Sequence, residues 1–128
     1  MKSLLVFATA AVVTASCGGG GGGYTLAATT ACIDEAPRMS VHEGAELDYV
    51  IEDAPAGAAE VGVDGTTAEI AFGNSSADAA RMKRQVEILA GAFAVPVEDL
   101  LERRGNTLIV WDSTPTEDQR RRLRDCIK

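Results

Sequence analysis

The sequence is poor in the residue types that usually build catalytic and metal centres. The 128 residues include one histidine, His42, and aromatic side chains make up only 5% of the chain. A histidine-rich metal centre therefore lacks ligands. The sequence also has no Gly-x-Ser-x-Gly elbow, no Cys-x-x-Cys pair and no phosphate-binding loop. We therefore expect no cofactor and favour a protein that is not an enzyme.

Basic residues are outnumbered by acidic ones, 12 against 19, which makes nucleic acid an unlikely kind of partner. The imbalance is confined to one half of the chain. Residues 24–78 contain eleven carboxylates and a single basic residue, Arg38, whereas residues 79–128 contain ten basic and eight acidic residues. The simplest interpretation is a solvated acidic face beside arginine-bearing helices.

Long apolar runs are also missing. Residues 4–13 form an apolar stretch, but it is far shorter than the roughly 20 residues that a transmembrane helix needs. Lys2 precedes this stretch, and small residues, Thr14 to Ser16, follow it. A basic start, a short apolar run and a small-residue cleavage region are typical of a secretory signal peptide.

The segment from Val13 to Cys17 resembles the lipobox of bacterial lipoproteins. The resemblance implies cleavage before Cys17 and a diacylglycerol on its thiol, which would anchor the protein stably to a membrane. Thr14 stands where Leu is commoner, so ordinary cleavage after Ala15 stays open. Lipidation of Cys17 would leave Cys32 and Cys126 as an even pair, and in an oxidising compartment we predict a disulfide between them.

These features predict three parts. Residues 1–16 form the signal peptide, residues 17–23 form a lipidated cysteine with a glycine tether, and residues 24–128 form one extracytoplasmic domain. Six consecutive glycines predict a flexible coil that reaches roughly 12 to 15 Å. The expected location is the cell envelope, on the outer side of the cytoplasmic membrane or on an outer membrane.

The domain is predicted to be an α+β fold with a small mixed or antiparallel sheet. Asp64-Gly65 separates two alternating apolar stretches, which indicates a hairpin over about residues 60–73. An apolar stripe at steps of three and four predicts a long core helix over about residues 76–94, capped by Ser75. Members of the stripe are Ala79, Met82, Val86, Leu89 and Phe93.

The remaining elements are shorter. Residues 30–36 favour a short helix that ends near Pro37, and residues 39–59 are loop-like except for an extended candidate, Leu47–Glu52. Residues 97–104 predict a second short helix, and residues 107–111 a central buried strand. A capping box at Thr114 and Glu117 predicts a C-terminal helix over about residues 115–127. We expect the helices on one face of the sheet and the strand at 107–111 parallel to the hairpin strand, through a right-handed crossover.

Two groups of polar side chains are candidate sites. If the strands ending at Gly73 and Trp111 are parallel neighbours, their carboxyl ends bring together a cluster beside two helix N-termini, which attract anions. The cluster comprises Asn74, Ser75, Ser76, Asp112, Ser113 and Thr114. Helix capping explains the same residues more simply. The second group is an acidic loop that could gather Ca²⁺, though a solvated loop is the simpler interpretation. Its carboxylates are Glu43, Glu46, Asp48, Glu52 and Asp53.

The function favoured by the sequence is therefore a membrane-anchored envelope lipoprotein that binds a protein or an envelope polymer. A small-molecule or ion-binding domain is the alternative, and a small hydrolase that uses His42 or a carboxylate pair is a weaker one. A flat surface would favour the protein-binding or polymer-binding function. A deep pocket lined by Asp112 or His42 would favour the ligand-binding domain or the hydrolase.

The anchor gives the first testable prediction. Mass spectrometry of the protein from membranes should find an N-terminal Cys17 carrying a diacylglycerol, and Cys17→Ser should release the protein from the membrane because the anchor is lost. An unmodified N-terminus at Ser16 would contradict the lipoprotein prediction.

Overall fold

The computed structural model describes residues 23–42 and 54–128. Within them the elements are α1 (Leu26–Glu35), β1 (Met39–His42), β2 (Ala58–Val63), β3 (Thr66–Phe72), α2 (Ser76–Ala92), β4 (Leu101–Arg104), β5 (Thr107–Trp111) and α3 (Glu117–Cys126). The strands form one antiparallel sheet in the order β1-β2-β3-β5-β4. The predicted α+β class is confirmed. The extended candidate Leu47–Glu52 lies outside the described residues.

The hairpin of β2 and β3 forms as predicted. Asp64 and Gly65 make the two-residue turn, both at positive φ (46° and 87°), which suits the right-handed twist of the paired strands. Alternate residues point to one face and are fully or almost fully buried there: Val61, Val63, Ala68, Ile70 and Phe72. The alternation of buried residues thus identifies the face of the hairpin that packs against the core.

Helices cover both faces of the sheet, and the prediction of a single covered face is wrong. One apolar cluster joins Ile33 of α1 and Leu123 of α3 to the hairpin and to Trp111. A second cluster packs α2 against the opposite face, where Ala71 and Leu108 are fully buried. The reason is that β3 and β5 are internal strands with apolar residues on both sides, so each face needs its own cover.

The long helix α2 begins as predicted and ends earlier. The Ser75 hydroxyl accepts a hydrogen bond from the backbone N–H of Asp78 (3.3 Å), and Ala79, Met82 and Val86 are buried. Beyond Val86 the residues of the stripe are less buried, because the helix ends at Ala92 and Phe93 is 68% exposed. The far end of α2 therefore presents apolar side chains to solvent.

The predicted helix at residues 97–104 is wrong, because residues 101–104 form the edge strand β4. A two-residue turn, Gly105-Asn106, joins β4 to β5, with Gly105 at φ 55°. This extra strand reverses the chain once more after α2, so β5 runs antiparallel to β3. The predicted parallel pairing and right-handed crossover are therefore also wrong, whereas β5 is an internal, buried strand as expected.

The C-terminal helix is confirmed, but it is capped two residues later than predicted. Thr116 is the N-cap, and it exchanges hydrogen bonds with Gln119 in a reciprocal capping box (3.1 and 2.8 Å). Pro115 is buried rather than placed at the first helical position. Thr116 offers the same hydroxyl chemistry as Thr114, which explains the shift.

The predicted disulfide is present between Cys32 of α1 and Cys126 of α3, whose Cα atoms lie 5.3 Å apart. Backbone contacts reinforce it, because the N–H of Thr25 donates to the carbonyl of Lys128 (2.7 Å). The bond spans 94 residues of sequence. It therefore closes nearly the whole domain into one loop.

Hydrogen bonds of the Asn106 side chain link the start of the domain to the β4–β5 turn. Its side-chain amide donates to the carbonyls of Tyr24 (2.9 Å) and Gly73 (2.8 Å), and its oxygen accepts from the N–H of Tyr24 (3.0 Å). The residue is 4% exposed. The guanidinium of Arg104 lies 5.7 Å from the centre of the Tyr24 ring, in cation–π range. The chain thus enters the domain at this end of the sheet.

A partly buried ion-pair network joins β4 to α3. Arg124 donates a hydrogen bond to Glu102, and Arg120 lies 3.6 Å from the same carboxylate. The hydrogen bond and charge of Glu102 raise the pKa of Arg124. Arg120 also donates to the backbone carbonyl of Asp99 (2.9 Å). These contacts hold the edge strand against the C-terminal helix.

Removal of the disulfide should lower the free energy of unfolding substantially. In the chain-entropy model a loop of this length contributes about 4 to 5 kcal/mol. Urea unfolding of a Cys32→Ala/Cys126→Ala variant should show that loss, and reductant should lower the midpoint of the wild type but not of the variant. Equal midpoints for oxidised and reduced wild type would contradict it.

Asn106→Ala should destabilise the domain by about 1 to 3 kcal/mol, because it leaves backbone groups of Tyr24 and Gly73 without their partner. Asn74→Ala is a matched control, since Asn74 is exposed and should change stability by less than about 0.5 kcal/mol. Thermal unfolding of both variants measures the difference. Equal effects would show that the Asn106 hydrogen bonds do not stabilise the fold.

Candidate functional site

The polar cluster predicted at the strand ends does not come together. Its first segment, residues 74–76, lies at the end of the sheet where Gly73 donates to the carbonyl of Asn106 (2.8 Å). There the N–H of Asn74 donates to the carboxylate of Asp78 (2.8 Å), and Ser75 caps α2. These contacts are those of a helix cap.

The second segment, residues 112–114, lies at the opposite end of the sheet. Asp112 donates its N–H to the carbonyl of Thr67 (3.0 Å), and the hydroxyls of Ser113 and Thr66 are 3.0 Å apart. Because β3 and β5 are antiparallel, the carboxyl ends of the two strands point in opposite directions. The anion site inferred from parallel strands is therefore wrong in its geometry.

His42 instead meets a serine and a glutamate on the sheet face opposite α1 and α3. Its Nε2 lies 3.2 Å from the Ser40 hydroxyl oxygen, within hydrogen-bond distance, and its Nδ1 lies 3.8 Å from Oε1 of Glu60. Ser40 and His42 are two residues apart on β1, so they share a face, and Glu60 lies directly opposite His42 on β2. We call these three residues the Ser-His-Glu group.

Gly62 makes room for this group. It lies opposite Ser40, and a Cβ atom built on it would stand 2.6 Å from the Ser40 hydroxyl oxygen. Glycine inside a strand is otherwise unfavourable, and it often marks a close approach of another group. Ser40 is exposed, and the His42 side chain is 54% exposed. The hydroxyl and the imidazole are therefore open to solvent on one side.

The second feature is an apolar groove beneath the far end of α2. A cavity of about 140 Å³ lies between this helix, the following loop and Val110 of β5. Its lining residues are Val86, Leu89, Ala90, Phe93, Val95, Val97 and Val110. Phe93 and Val95 are 68% and 49% exposed, so the mouth of the groove is also apolar. We call this feature the α2 groove.

A small basic surface runs along the same helix on the side of β4. It surrounds a shallow depression lined by Lys83, Arg84 and Arg103, together with Ala80 and Glu87. Lys83 pairs with Glu87 (3.2 Å). Within residues 23–42 and 54–128, no carboxylate lies within ion-pair distance of Arg84 or Arg103. The groove therefore lies near two arginines that no carboxylate of the described residues pairs with.

The other candidate sites predicted from the sequence either lie outside the described residues or have a structural role. The acidic loop and Cys17 lie outside the described residues, whereas Cys32 and Cys126 form the disulfide. In the part of the chain that the structure describes, no three His, Cys, Asp or Glu side chains are arranged to hold a metal ion. None of the helices described there is long and apolar enough to span a membrane.

Comparison with protein-family models, with curated proteins and with solved structures finds no match for this chain.

Sequence reasoning missed both the Ser-His-Glu group and the α2 groove. The alternation of Met39 and Val41 with Ser40 and His42 is a strand signal, but it covers four residues within a loop-like stretch. The groove had a clearer signal, because residues 88–97 contain no charged or polar side chain. That run continues past the end of α2, which is why part of it is exposed.

Proposed function

We propose that this protein is an envelope lipoprotein whose domain docks a protein partner at the α2 groove. The observation that carries the proposal is the apolar groove beside the exposed Phe93 and Val95. Exposed apolar surface gathered in one place is typical of interaction sites in monomeric domains. The anchor itself rests on the lipobox resemblance at residues 13–17.

The size of the groove favours a side chain of a protein over a free ligand. Sites for small molecules usually enclose about 300 to 1,000 Å³. A cavity of about 140 Å³ is smaller than that range. It is comparable to engineered apolar cavities of about 150 Å³ that bind benzene. One aromatic or branched apolar side chain is therefore the occupant of fitting size, in the manner of an interface anchor.

The position of the groove favours a partner over the membrane. The chain enters the domain at Tyr24, beside the turn at Asn106 and the start of α2. Helix α2 has 17 residues and is therefore about 25 Å long, and the groove lies under its far end. A glycine tether that reaches roughly 12 to 15 Å would hold the Tyr24 end nearest to the lipid. The groove would then face away from the membrane.

Charge specifies the partner further. Arg84 lies on α2 and Arg103 on the neighbouring strand β4, and no carboxylate of the described residues lies within ion-pair distance of either. A partner that places carboxylates beside its anchoring side chain would complement them, which favours correct over incorrect partners more than it adds affinity. We therefore assign the groove to a segment of a protein with one large apolar side chain between acidic residues.

A short peptide tests this assignment. A peptide with phenylalanine between two pairs of glutamates should shift the NMR methyl signals of Leu89 and Val110. Binding should be millimolar or weaker, because burial of one phenylalanine contributes about 1.5 to 3 kcal/mol. Replacement of its phenylalanine by alanine, or of its glutamates by lysines, should weaken binding.

Two variants of α2 provide a matched pair for the experiment. Ala90→Phe should block the groove from within and abolish the shifts, whereas Ala92→Phe places the same side chain on an exposed position outside the lining. Equal binding by both variants would contradict docking in the groove. Binding of the domain to phospholipid vesicles through Phe93, without peptide binding, would instead assign the surface to a membrane.

A further inference from the structure

We propose that Ser40 is a nucleophile that hydrolyses carboxylic esters, with His42 as its general base and Glu60 as the residue that positions His42. This activity is separate from docking at the α2 groove, because none of the three residues lines that groove. A nucleophile within reach of a base, which a third group orients in turn, is the arrangement that identifies such sites on unrelated folds.

The atoms that face one another are the ones this chemistry requires. His42 presents Nε2 to the Ser40 hydroxyl oxygen at 3.2 Å and turns Nδ1 toward the Glu60 carboxylate at 3.8 Å. A proton on Nδ1 leaves Nε2 free to accept the hydroxyl proton. The Glu60 carboxylate, 3.8 Å from Nδ1, favours the tautomer that carries its proton on Nδ1. Nothing else in the chain can serve as the imidazole, since His42 is its one histidine.

Gly62 is an independent observation for the same site. A Cβ atom at position 62 would stand 2.6 Å from the Ser40 hydroxyl oxygen, so the lack of a side chain at Gly62 leaves space for that hydroxyl beside His42. Ser40 and His42 are exposed on the sheet face, so an ester can reach them without a deep pocket. Substrate selectivity should therefore come from charge more than from shape.

The local charge specifies the substrate class. Glu60 lies directly opposite His42 on β2, and its side chain is 28% exposed. An anionic ester would be repelled by the Glu60 carboxylate, whereas a neutral or cationic ester would not. The structure thus assigns neutral or cationic carboxylic esters to Ser40.

The reaction balances without a cofactor. The Ser40 oxygen forms a bond to the ester carbonyl carbon while its proton passes to Nε2 of His42. The carbon–oxygen bond to the leaving alcohol then breaks, and the imidazolium returns the proton to that oxygen. Water attacks the acylated Ser40 in the same manner, releases the carboxylic acid and restores the hydroxyl.

The test uses the mature full chain in detergent, with p-nitrophenyl acetate as substrate and a fluorophosphonate as a label for the nucleophile. Wild-type protein should be labelled at Ser40 and should release nitrophenol. Ser40→Ala and His42→Ala should each lower the rate at least about tenfold, to the background of the buffer. Ser113→Ala is the matched control, because Ser113 is an exposed serine whose partner is the Thr66 hydroxyl.

Imidazole and a double variant separate catalysis from folding. Free imidazole should restore the rate of His42→Ala but not that of Ser40→Ala. Glu60→Gln should slow the wild type but should not slow the imidazole-rescued His42→Ala variant, because Glu60 acts through His42. Label on Ser113 as strong as on Ser40, or a rate unchanged in Ser40→Ala, would overturn the proposal.

Discussion

The pairing of β3 with β5 determines the arrangement of the whole domain. Ala68 lies opposite Trp111 and Phe72 opposite Thr107, so the two central strands run in opposite directions. Both strands are internal and carry apolar residues on each face, and the sheet is therefore covered on one side by α1 and α3 and on the other by α2. The same antiparallel pairing places the caps of α2 and the residues after β5 at opposite ends of the sheet. It separates the start of the domain from the α2 groove.

Contacts between the first and the last residues of the domain close this arrangement. The disulfide joins α1 to α3, and the backbone of Thr25 bonds to Lys128 beside it. Asn106 holds Tyr24 at the β4–β5 turn. A tethered domain pulled at its first residue would transmit that force directly into these contacts. The position of Tyr24 is therefore defined by covalent and hydrogen-bonded links and not by burial alone.

Sequence patterns correctly predicted the elements whose structure depends on neighbouring residues in the chain. The Asp64-Gly65 turn, the Ser75 cap and the apolar stripe from Ala79 to Val86 all depend on residues close in sequence. The helix predicted over residues 97–104 is wrong because Leu101 to Arg104 have no strong strand propensity. These residues form a strand because they pair with β5, which is a tertiary contact. Without β4, the sequence predicts that β5 runs parallel to β3. The polar site predicted at the strand ends depends on that parallel pairing and is wrong for the same reason. The pairing partner of a short edge strand lies elsewhere in the chain and has no local signal.

The Ser-His-Glu group and the α2 groove illustrate the same limit. Ser40 and His42 are neighbours by alternation, but Glu60 joins them only through the register of β1 and β2. The groove needs Val110 from β5 opposite α2, a contact across the sheet. Each surface thus arises from tertiary packing.

The central claim is that Tyr24, where the chain enters the domain, and the α2 groove lie at opposite ends of the domain. Energy transfer from a dye on protein bound to vesicles through the proposed lipid on Cys17, to acceptors in the vesicle surface, measures this directly. A dye at Ala92→Cys, near the groove, should lie farther from the membrane than one at Thr25→Cys, by an amount that approaches the length of α2, about 25 Å. Equal distances, or a shorter one at position 92, would contradict the account.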